Sequence, residues 1–332
     1  MHRRHLALMG ALAFVSLAPI LVAGQAPPNA TKAAATNGMP SRTPWGDPDL
    51  QGIWNNSTRT LLERPAALAG KEVLAEQELA ERNELAATEH DRPPTAGDPG
   101  TYNSFWWEQG TFLKRTSLIT DPPDGRLPPL TAQGQIARDA RAAARRAHQA
   151  DSWEDRNTAE RCITRGAPKL PGGYNNNFLI LQSPGYVTIL QEMIHEVRVI
   201  HLDGRPHLNQ DVRQWMGDAR GHWEGSTLVV DTTNFNEKIV DNSYNCCPGA
   251  GASLHVVERF SRVNAGTLDY QYTVDDPTTW TRPWTAVVPM RKAEGPIYEY
   301  ACHEGNYGMS GILRGARAQE ETAATAGKKG TK

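Results

Sequence analysis

The second half of the chain alternates apolar and polar residues with a period of two, and this pattern constrains the fold more than any other feature of the sequence. From Tyr186 onward, turn residues recur about every 8–12 positions, which is typical of an antiparallel meander. The strands predicted in this way cover residues 186–193, 195–202, 214–223, 227–235, 254–263, 268–276, 284–290 and 296–303. Consecutive strands with hairpin connections form either an up-and-down barrel or a sandwich, and sequential hairpins favour the barrel. We therefore predict a mainly β fold, with an antiparallel up-and-down barrel over residues 161–317.

Helical and irregular segments precede this region, and we expect residues 45–160 to pack on the barrel as decoration. Residues 61–89 predict a helix whose polar face is rich in glutamate, and residues 132–151 predict a helix that carries four arginines. The acidic and basic helices either pair with each other or present two separate solvated faces.

The N-terminus has the pattern of a secretory signal peptide. Arg3 and Arg4 precede an apolar stretch from residue 6 to 23, and small residues follow it. We predict a signal peptide over 1–24, a disordered leader over 25–44 and a disordered tail over 318–332. The alternative for the first segment is an uncleaved membrane anchor, because the apolar stretch is at the lower limit for spanning. Cleavage would leave a periplasmic or secreted protein with no stable membrane insertion.

Charge and motifs exclude several classes of function. Lys plus Arg is 35 and Asp plus Glu is 37, so the net charge of −2 provides no basic surface for nucleic acid. The sequence has no dinucleotide-binding glycine motif, phosphate loop, Gly-x-Ser-x-Gly elbow or His-Glu-x-x-His pair. We therefore expect no cofactor and no metal, and a small molecule as the partner.

Export permits disulfide bonds, and the chain has four cysteines. Cys246 and Cys247 are adjacent, and adjacent cysteines seldom bond to each other. Cys162 and Cys302 are our first choice for a disulfide, whereas a metal site is less favoured because no Cys-x-x-Cys spacing occurs.

Several motifs resemble a family of secreted bacterial proteins of the acidobacterial and proteobacterial type. They are DLQGIW at 49–54, DPPDGR at 121–126, GDARGHWEG at 217–225 with LVVDT at 228–232, DDPTTWTRPW at 275–284 and EYACHEGNY at 299–307. The resemblance implies export and carries no catalytic residue with it. The adjacent Cys246 and Cys247 depart from the family pattern.

A looser resemblance is to lipocalin-like barrels, in which a Gly-x-Trp element opens the barrel and a Trp-Glu-Gly hairpin recurs. Gly52 to Trp54 and Trp223 to Gly225 fit these two elements. The resemblance implies a barrel with room for one small ligand.

Titratable residues on apolar strand faces are the candidates for chemistry, because side chains at i, i+2 and i+4 share a face. His195 and His201 share their parity with Val197 and Val199, and other strands place carboxylates or a histidine on the same faces as apolar residues. The predicted catalytic set is His195, Glu258, Glu299, His303 and Asp231, with His195 and Glu258 as the preferred pair. An apolar lumen shifts such pKa values toward neutrality, which suits acid–base catalysis. The alternative is that each residue lies on the surface or in a structural ion pair.

Aromatic residues provide a second set of candidates, which would form an amphipathic pocket wall or simply fill the core. They are Trp106, Trp223, Tyr270, Tyr272 and Trp280. Two hypotheses follow. The first is a cofactor-independent lyase, isomerase or hydrolase that acts on a small, partly apolar molecule in the barrel. The second is a lipocalin-like binding or carrier protein without catalysis.

Overall fold

The alternating region forms most of a closed β-barrel. In the computed structural model the strands are β1 (Gly52–Asn55), β2 (Ile119–Asp121), β3 (Asn177–Ser183), β4 (Tyr186–Gln191), β5 (Glu196–His201), β6 (Asp218–Glu224), β7 (Thr227–Thr233), β8 (His255–Asn264), β9 (Thr267–Asp275) and β10 (Trp284–Lys292). β3 to β10 follow one another around the wall, and β1 pairs with both β3 and β10. Nine strands of the described residues therefore close the ring, and β2 adds to the edge of β10. The structure describes residues 41–332 except 92, 94, 95, 97–102, 239–246, 248, 249 and 330–332; for 327–329 it describes the backbone alone.

The sheet is mixed, which corrects the prediction of a purely antiparallel barrel. β5 and β6 are parallel, whereas all the other neighbouring strands are antiparallel. A ring with an odd number of strands cannot alternate direction throughout, so at least one neighbouring pair has to be parallel. The parallel pair follows the long connection of residues 202–217, which returns the chain to the starting side of β5.

Three strands, β1, β2 and β3, precede the first predicted strand at residue 186. β1 contains the Gly52-Ile-Trp54 element and completes the barrel from within the segment that was expected to be decoration. Residues 296–303, predicted as the last strand, have no regular structure. Both edges of β10 are already occupied, one by β9 and the other by β1 and β2, so no position remains for a further strand.

In the described part of the chain, three α-helices lie outside the barrel: α1 (Glu76–Ala87), α2 (Ala132–Ala147) and α3 (Tyr307–Lys329). α1 is shorter than predicted, because residues 61–75 are largely irregular. α2 begins with the Thr131 hydroxyl as its N-cap, which accepts a hydrogen bond from the Gly134 N–H. α3 continues through most of the segment whose composition predicts disorder. Among the described residues no helix is long and apolar enough to cross a membrane.

The inner face of the barrel is packed with large side chains. Trp54, Trp284 and Tyr272 have no solvent exposure. Phe260 stacks on Tyr270 at 4.7 Å, and successive aromatic rings extend this contact around β9 and β10. Rings with no exposed surface leave no water-sized space around them, so this part of the interior is a core rather than a hollow lumen.

The predicted disulfide between Cys162 and Cys302 is confirmed, with an S–S distance of 2.04 Å. It links the segment before β3 to the segment after β10, 140 residues apart in sequence. Cys247 is also disulfide-bonded, whereas Cys246 lies outside the described residues, as do the predicted signal peptide and most of the leader.

Candidate binding site at the β5–β6 seam

The preferred catalytic residues do not meet in a shared cavity. His195 is exposed, and its Nδ1 lies 2.8 Å from the backbone carbonyl oxygen of Tyr300. Glu258 is buried inside the barrel, where the parity of β8 places it. Glu299 is exposed in the irregular segment that replaces the last predicted strand. The prediction that His195, Glu258 and Glu299 point into one cavity is therefore wrong.

The side chains of β5 point to the opposite faces from those predicted, and this accounts for the outward position of His195, which immediately precedes the strand. Arg198 and Ile200 point inward and are buried, whereas Val197 and Val199 are 54% and 51% exposed. The sequence of β5 has apolar residues on both faces, and the face with two valines is the outer one. His201 shares that outer face, as the period of two requires.

The remaining two catalytic candidates lie on the outside of the molecule. His303 is exposed beyond the disulfide. Asp231 is on the outer face of β7, because Leu228, Val230 and Thr232 occupy the inner positions. Neither residue faces the barrel interior.

The aromatic candidates mostly fill the core. Tyr270, Tyr272 and Trp280 are buried within the hydrophobic core of the barrel, and Trp223 is half-buried against it. Trp106 is 59% exposed and lies outside this core. These residues do not form one pocket wall.

A buried ion pair crosses the barrel interior. Arg198 on β5 donates from Nη1 to Glu258 Oε1 at 2.9 Å, and its Nη2 contacts Glu258 Oε2. Nη2 also donates to the Thr232 hydroxyl at 3.2 Å, and the Tyr270 hydroxyl donates to Glu258 at 2.7 Å. Burial and the Glu258 charge raise the pKa of Tyr270 well above its ordinary value. The pair thus connects β5 with β7, β8 and β9.

A cleft opens next to Arg198 where β5 and β6 meet. The two strands share one ladder pair, His201 with Arg220. A cavity of about 300 Å³ lies between the strands, on the side of this pair that is closer to the N-terminal ends of both strands. We call it the seam cleft. Its lining residues are Val197, Arg198, Val199, His201, Arg205, Leu208, Gln214, Met216, Gly217, Asp218, Ala219 and Arg220.

On the other side of the ladder pair the seam is closed by Gly221. A Cβ atom at this position would lie 2.7 Å from the side chains of both Ile200 and Leu202. β6 can approach β5 here only because residue 221 is glycine. The opening is therefore confined to one half of the seam.

The lining of the seam cleft combines apolar walls with cationic groups. Four apolar side chains, Val197, Val199, Leu208 and Met216, are at least partly exposed. The lining also carries three guanidinium groups and one carboxylate, that of Asp218. Arg205 and Arg220 bind Asp203 and Asp218, respectively, through ion pairs of 2.5 and 2.7 Å.

Two buried nitrogens at the cleft are left without a hydrogen-bond partner among the described residues. They are Arg198 Nε and His201 Nδ1. Buried polar atoms in folded proteins nearly always have a partner, so each exception needs an explanation. Both of these atoms belong to side chains that border the same cavity.

A histidine–aspartate network borders the cleft through Asp218. His207 lies between two carboxylates, with Nδ1 3.0 Å from Asp218 and Nε2 2.8 Å from Asp231. His255 Nε2 is 2.8 Å from the other oxygen of Asp231. This hydrogen bond lowers the pKa of Asp231 and raises the pKa of His255. The network fastens the 202–217 connection to β6 and β7.

Glu196 is a functional candidate that the sequence patterns missed. Its carboxylate accepts a hydrogen bond from the Arg165 N–H at 2.9 Å, and burial raises its pKa to about 7. The hydroxyl of Thr164, which also bonds to Glu196, lies 3.3 Å from the sulfur of Met216 in the cleft lining. A carboxyl group that titrates near neutrality thus lies one side chain away from the cleft.

Within the described part of the chain, no group of three or more His, Cys, Asp or Glu side chains is arranged to hold a metal ion. Comparisons of the chain with models of known protein families, with curated proteins and with solved structures find no match. The function therefore has to be inferred from the geometry of the site.

Proposed function

We propose that the protein is an exported binding protein that holds a small, partly apolar carboxylate in the seam cleft. The observation that carries this proposal is the pair of partnerless nitrogens, Arg198 Nε and His201 Nδ1, on two side chains that border one cavity. A buried polar atom without a partner costs about 1–3 kcal/mol. The Arg198 Nε–H is a donor, so a bound acceptor that reaches it would remove part of that cost, and His201 Nδ1 would add a second donor in the form of the ring that carries its proton there.

The donors of the lining favour a carboxylate over a neutral acceptor. Each of the three guanidinium groups already pairs with a carboxylate of the protein, Glu258, Asp203 or Asp218, but a guanidinium has five N–H donors, and the donors that remain can hold a further carboxylate through charge-assisted hydrogen bonds. The apolar side chains of Val197, Val199, Leu208 and Met216 would cover the rest of the ligand. A cavity of about 300 Å³ is at the small end of ligand sites.

Binding is favoured over acid–base catalysis because the predicted catalytic residues lie apart. The site also differs from that of a lipocalin, whose ligand occupies the lumen, because Trp54, Trp284 and the tyrosines of β9 occupy this interior. Export rests on the signal-like N-terminal sequence and agrees with the Cys162–Cys302 disulfide.

The test is a calorimetric titration with benzoate and hexanoate, compared with benzamide and hexanamide. We expect the carboxylates to bind with 1:1 stoichiometry and more tightly than the amides. Met216→Trp should fill the cleft and abolish binding, and His201→Phe should weaken it about tenfold. The matched controls are Leu181→Trp on the exposed face of β3 and His222→Phe on β6, which lie outside the cleft lining. Equal affinities in Met216→Trp and in Leu181→Trp would refute the site.

A further inference from the structure

The basic helix α2 is not neutralised by the acidic helix α1. Glu78 of α1 pairs instead with Lys71 and Arg82, and Glu76 pairs with Lys114. None of the ion pairs assigned between described residues links α1 to α2. Within α2, Arg138 pairs with the neighbouring Asp139, whereas Arg141 has no partner among the described residues, so its charge remains available.

A second cleft lies beside α2, separate from the seam cleft. It has a volume of about 350 Å³. Its lining residues are Arg141, Glu154, Arg156, Asn157, Thr158, Arg161, Glu237 and Lys238. We call it the α2 cleft; its lining carries four cationic side chains and two carboxylates.

Two of the four cations are held in place by the protein. Arg156 donates from Nε and Nη2 to the two oxygens of Glu160, at 3.0 and 2.8 Å, and from Nη1 to the carbonyl of Gln149 at 2.9 Å. The Arg161 guanidinium stacks on the ring of Trp153 with its central carbon 4.5 Å from the ring centroid. Both groups are therefore oriented before any ligand arrives.

The other two cations are free to move toward a ligand. Arg141 has no hydrogen bond or ion pair to any other described residue, and Lys238 lies 3.7 Å from Glu154 in an exposed ion pair. Such a pair contributes little, so Lys238 can exchange its partner at small cost.

We propose that the α2 cleft binds a phosphate group. Guanidinium groups recognise phosphate through planar, charge-assisted hydrogen bonds, and a phosphomonoester carries nearly two negative charges at neutral pH. With Glu160 counted, the site has four cations and three carboxylates, so its excess is one positive charge; phosphate is favoured over a carboxylate because its three oxygens can accept from Arg141, Arg161 and Lys238 at once. The phosphate group belongs to a free anion, to a small phosphoester or to a lipid headgroup, and the experiment distinguishes these sources.

The test is a titration at low ionic strength with inorganic phosphate and with glycerol 3-phosphate, together with sedimentation on vesicles of phosphatidylcholine with and without phosphatidic acid. We expect 1:1 binding of at least one of these probes. Arg141→Gln and Arg161→Gln should each weaken it about tenfold or more. Binding of both soluble anions, of glycerol 3-phosphate alone, or of phosphatidic acid vesicles alone identifies the source.

The controls are Arg138→Gln and Arg146→Gln, which remove the same charge from exposed positions of the same helix outside the cleft lining. They should change the affinity by less than twofold, and circular dichroism should show that all four variants keep their fold. Absence of binding by every probe would overturn the proposal. An equal loss in the control variants would also overturn it, because binding would then reflect diffuse charge rather than a site.

Discussion

The barrel closes at two seams with short ladders, and the two seams differ in how they are covered. Between β10 and β1 the ladder has two pairs, and β2 extends it along the same edge with Leu118 and Ile119 buried at 2% exposure. Between β5 and β6 the ladder has one pair, and no further strand among the described residues covers the gap. The first seam is sealed, whereas the second contains the seam cleft.

The two seams show how the ring of strands can be complete although the strands are separated by a cleft at one place. At the sealed seam, backbone hydrogen bonds and apolar burial hold the strands together. At the open seam, the Arg198–Glu258 pair ties β5 to β8 through the interior, and His207 ties the connection to β6 and β7. Side-chain interactions replace the missing ladder, and they leave Arg198 beside the cleft.

The largest expected effect is from breaking the buried ion pair. Glu258→Gln should lower the free energy of unfolding by about 3–5 kcal/mol, because it leaves the Arg198 charge buried without a counterion. Urea denaturation measures this change. The exposed Glu224, which pairs with Arg259, is the matched control, and Glu224→Gln should cost less than about 1 kcal/mol.

A double variant sharpens this result. Arg198→Met with Glu258→Leu should recover most of the lost stability, because apolar residues of similar volume often replace a buried pair without loss. The same double variant should no longer bind the carboxylate. Recovery of stability with unchanged binding would show that Arg198 has only a structural role.

The next prediction compares the loss of unfolding free energy that a truncated side chain causes at each seam. Leu118→Ala at the sealed seam should cost about 2–5 kcal/mol, the range for a fully buried leucine. Met216→Ala at the open seam should cost about 1 kcal/mol, since Met216 is half-buried beside a cavity. Equal losses of unfolding free energy in the two variants would contradict the distinction between the seams.

Glu196 should make the stability near the open seam depend on pH. Burial raises its pKa to about 7, so the folded state favours the protonated form and loses stability as the pH rises from about 5 to 8. Glu196→Gln should remove this loss and gain about 1–2 kcal/mol at pH 8 relative to the wild type. The exposed Glu299→Gln provides the control, and a wild-type stability that stays flat over this range would argue against a buried carboxyl.

The smallest effect concerns the histidine–aspartate network. Because the pKa of His255 is raised, this group stabilises the protein below its ordinary pKa of 6.5, and the contribution is lost as the pH rises. Because the pKa of Asp231 is lowered, this group stabilises the protein above its ordinary pKa of 3.8. Asp231→Asn should therefore cost most between about pH 4 and 6.5. We expect a loss below about 1 kcal/mol, because both groups are partly exposed. Thermal unfolding at pH 5.5 and pH 8.5 measures the difference.

The sequence was sufficient to predict most of the wall of the barrel. Strands β4 and β7 to β10 lie within a few residues of their predicted positions, because their alternating burial follows from alternating polarity. β3 was missed because its continuous run of four apolar residues lacks that alternation. The parallel pairing of β5 with β6 depends on strand number and closure, which no local pattern encodes.

The site was harder to predict, and β5 shows why. Its two faces carry Val197 with Val199 and Arg198 with Ile200, so the apolar count favours the outer face. Arg198 is buried because Glu258 and Thr232, which are 60 and 34 residues away in sequence, provide its partners. Only the three-dimensional structure brings these partners to the inner face of β5. The period of two predicts an inward position for His201; the residue instead lies on the outer face of β5, where it lines the seam cleft because the seam beside it is open.

The most direct test of the account is a crystal structure of the protein soaked with 4-bromobenzoate, in which the anomalous signal of bromine locates the ligand. We expect one bromine peak among Val199, Leu208 and Met216, with the carboxylate within hydrogen-bond distance of Arg198 or His201. A bromine peak inside the barrel among the aromatic rings, or at a surface site with the seam cleft empty, would contradict the claim that the open seam is the binding site.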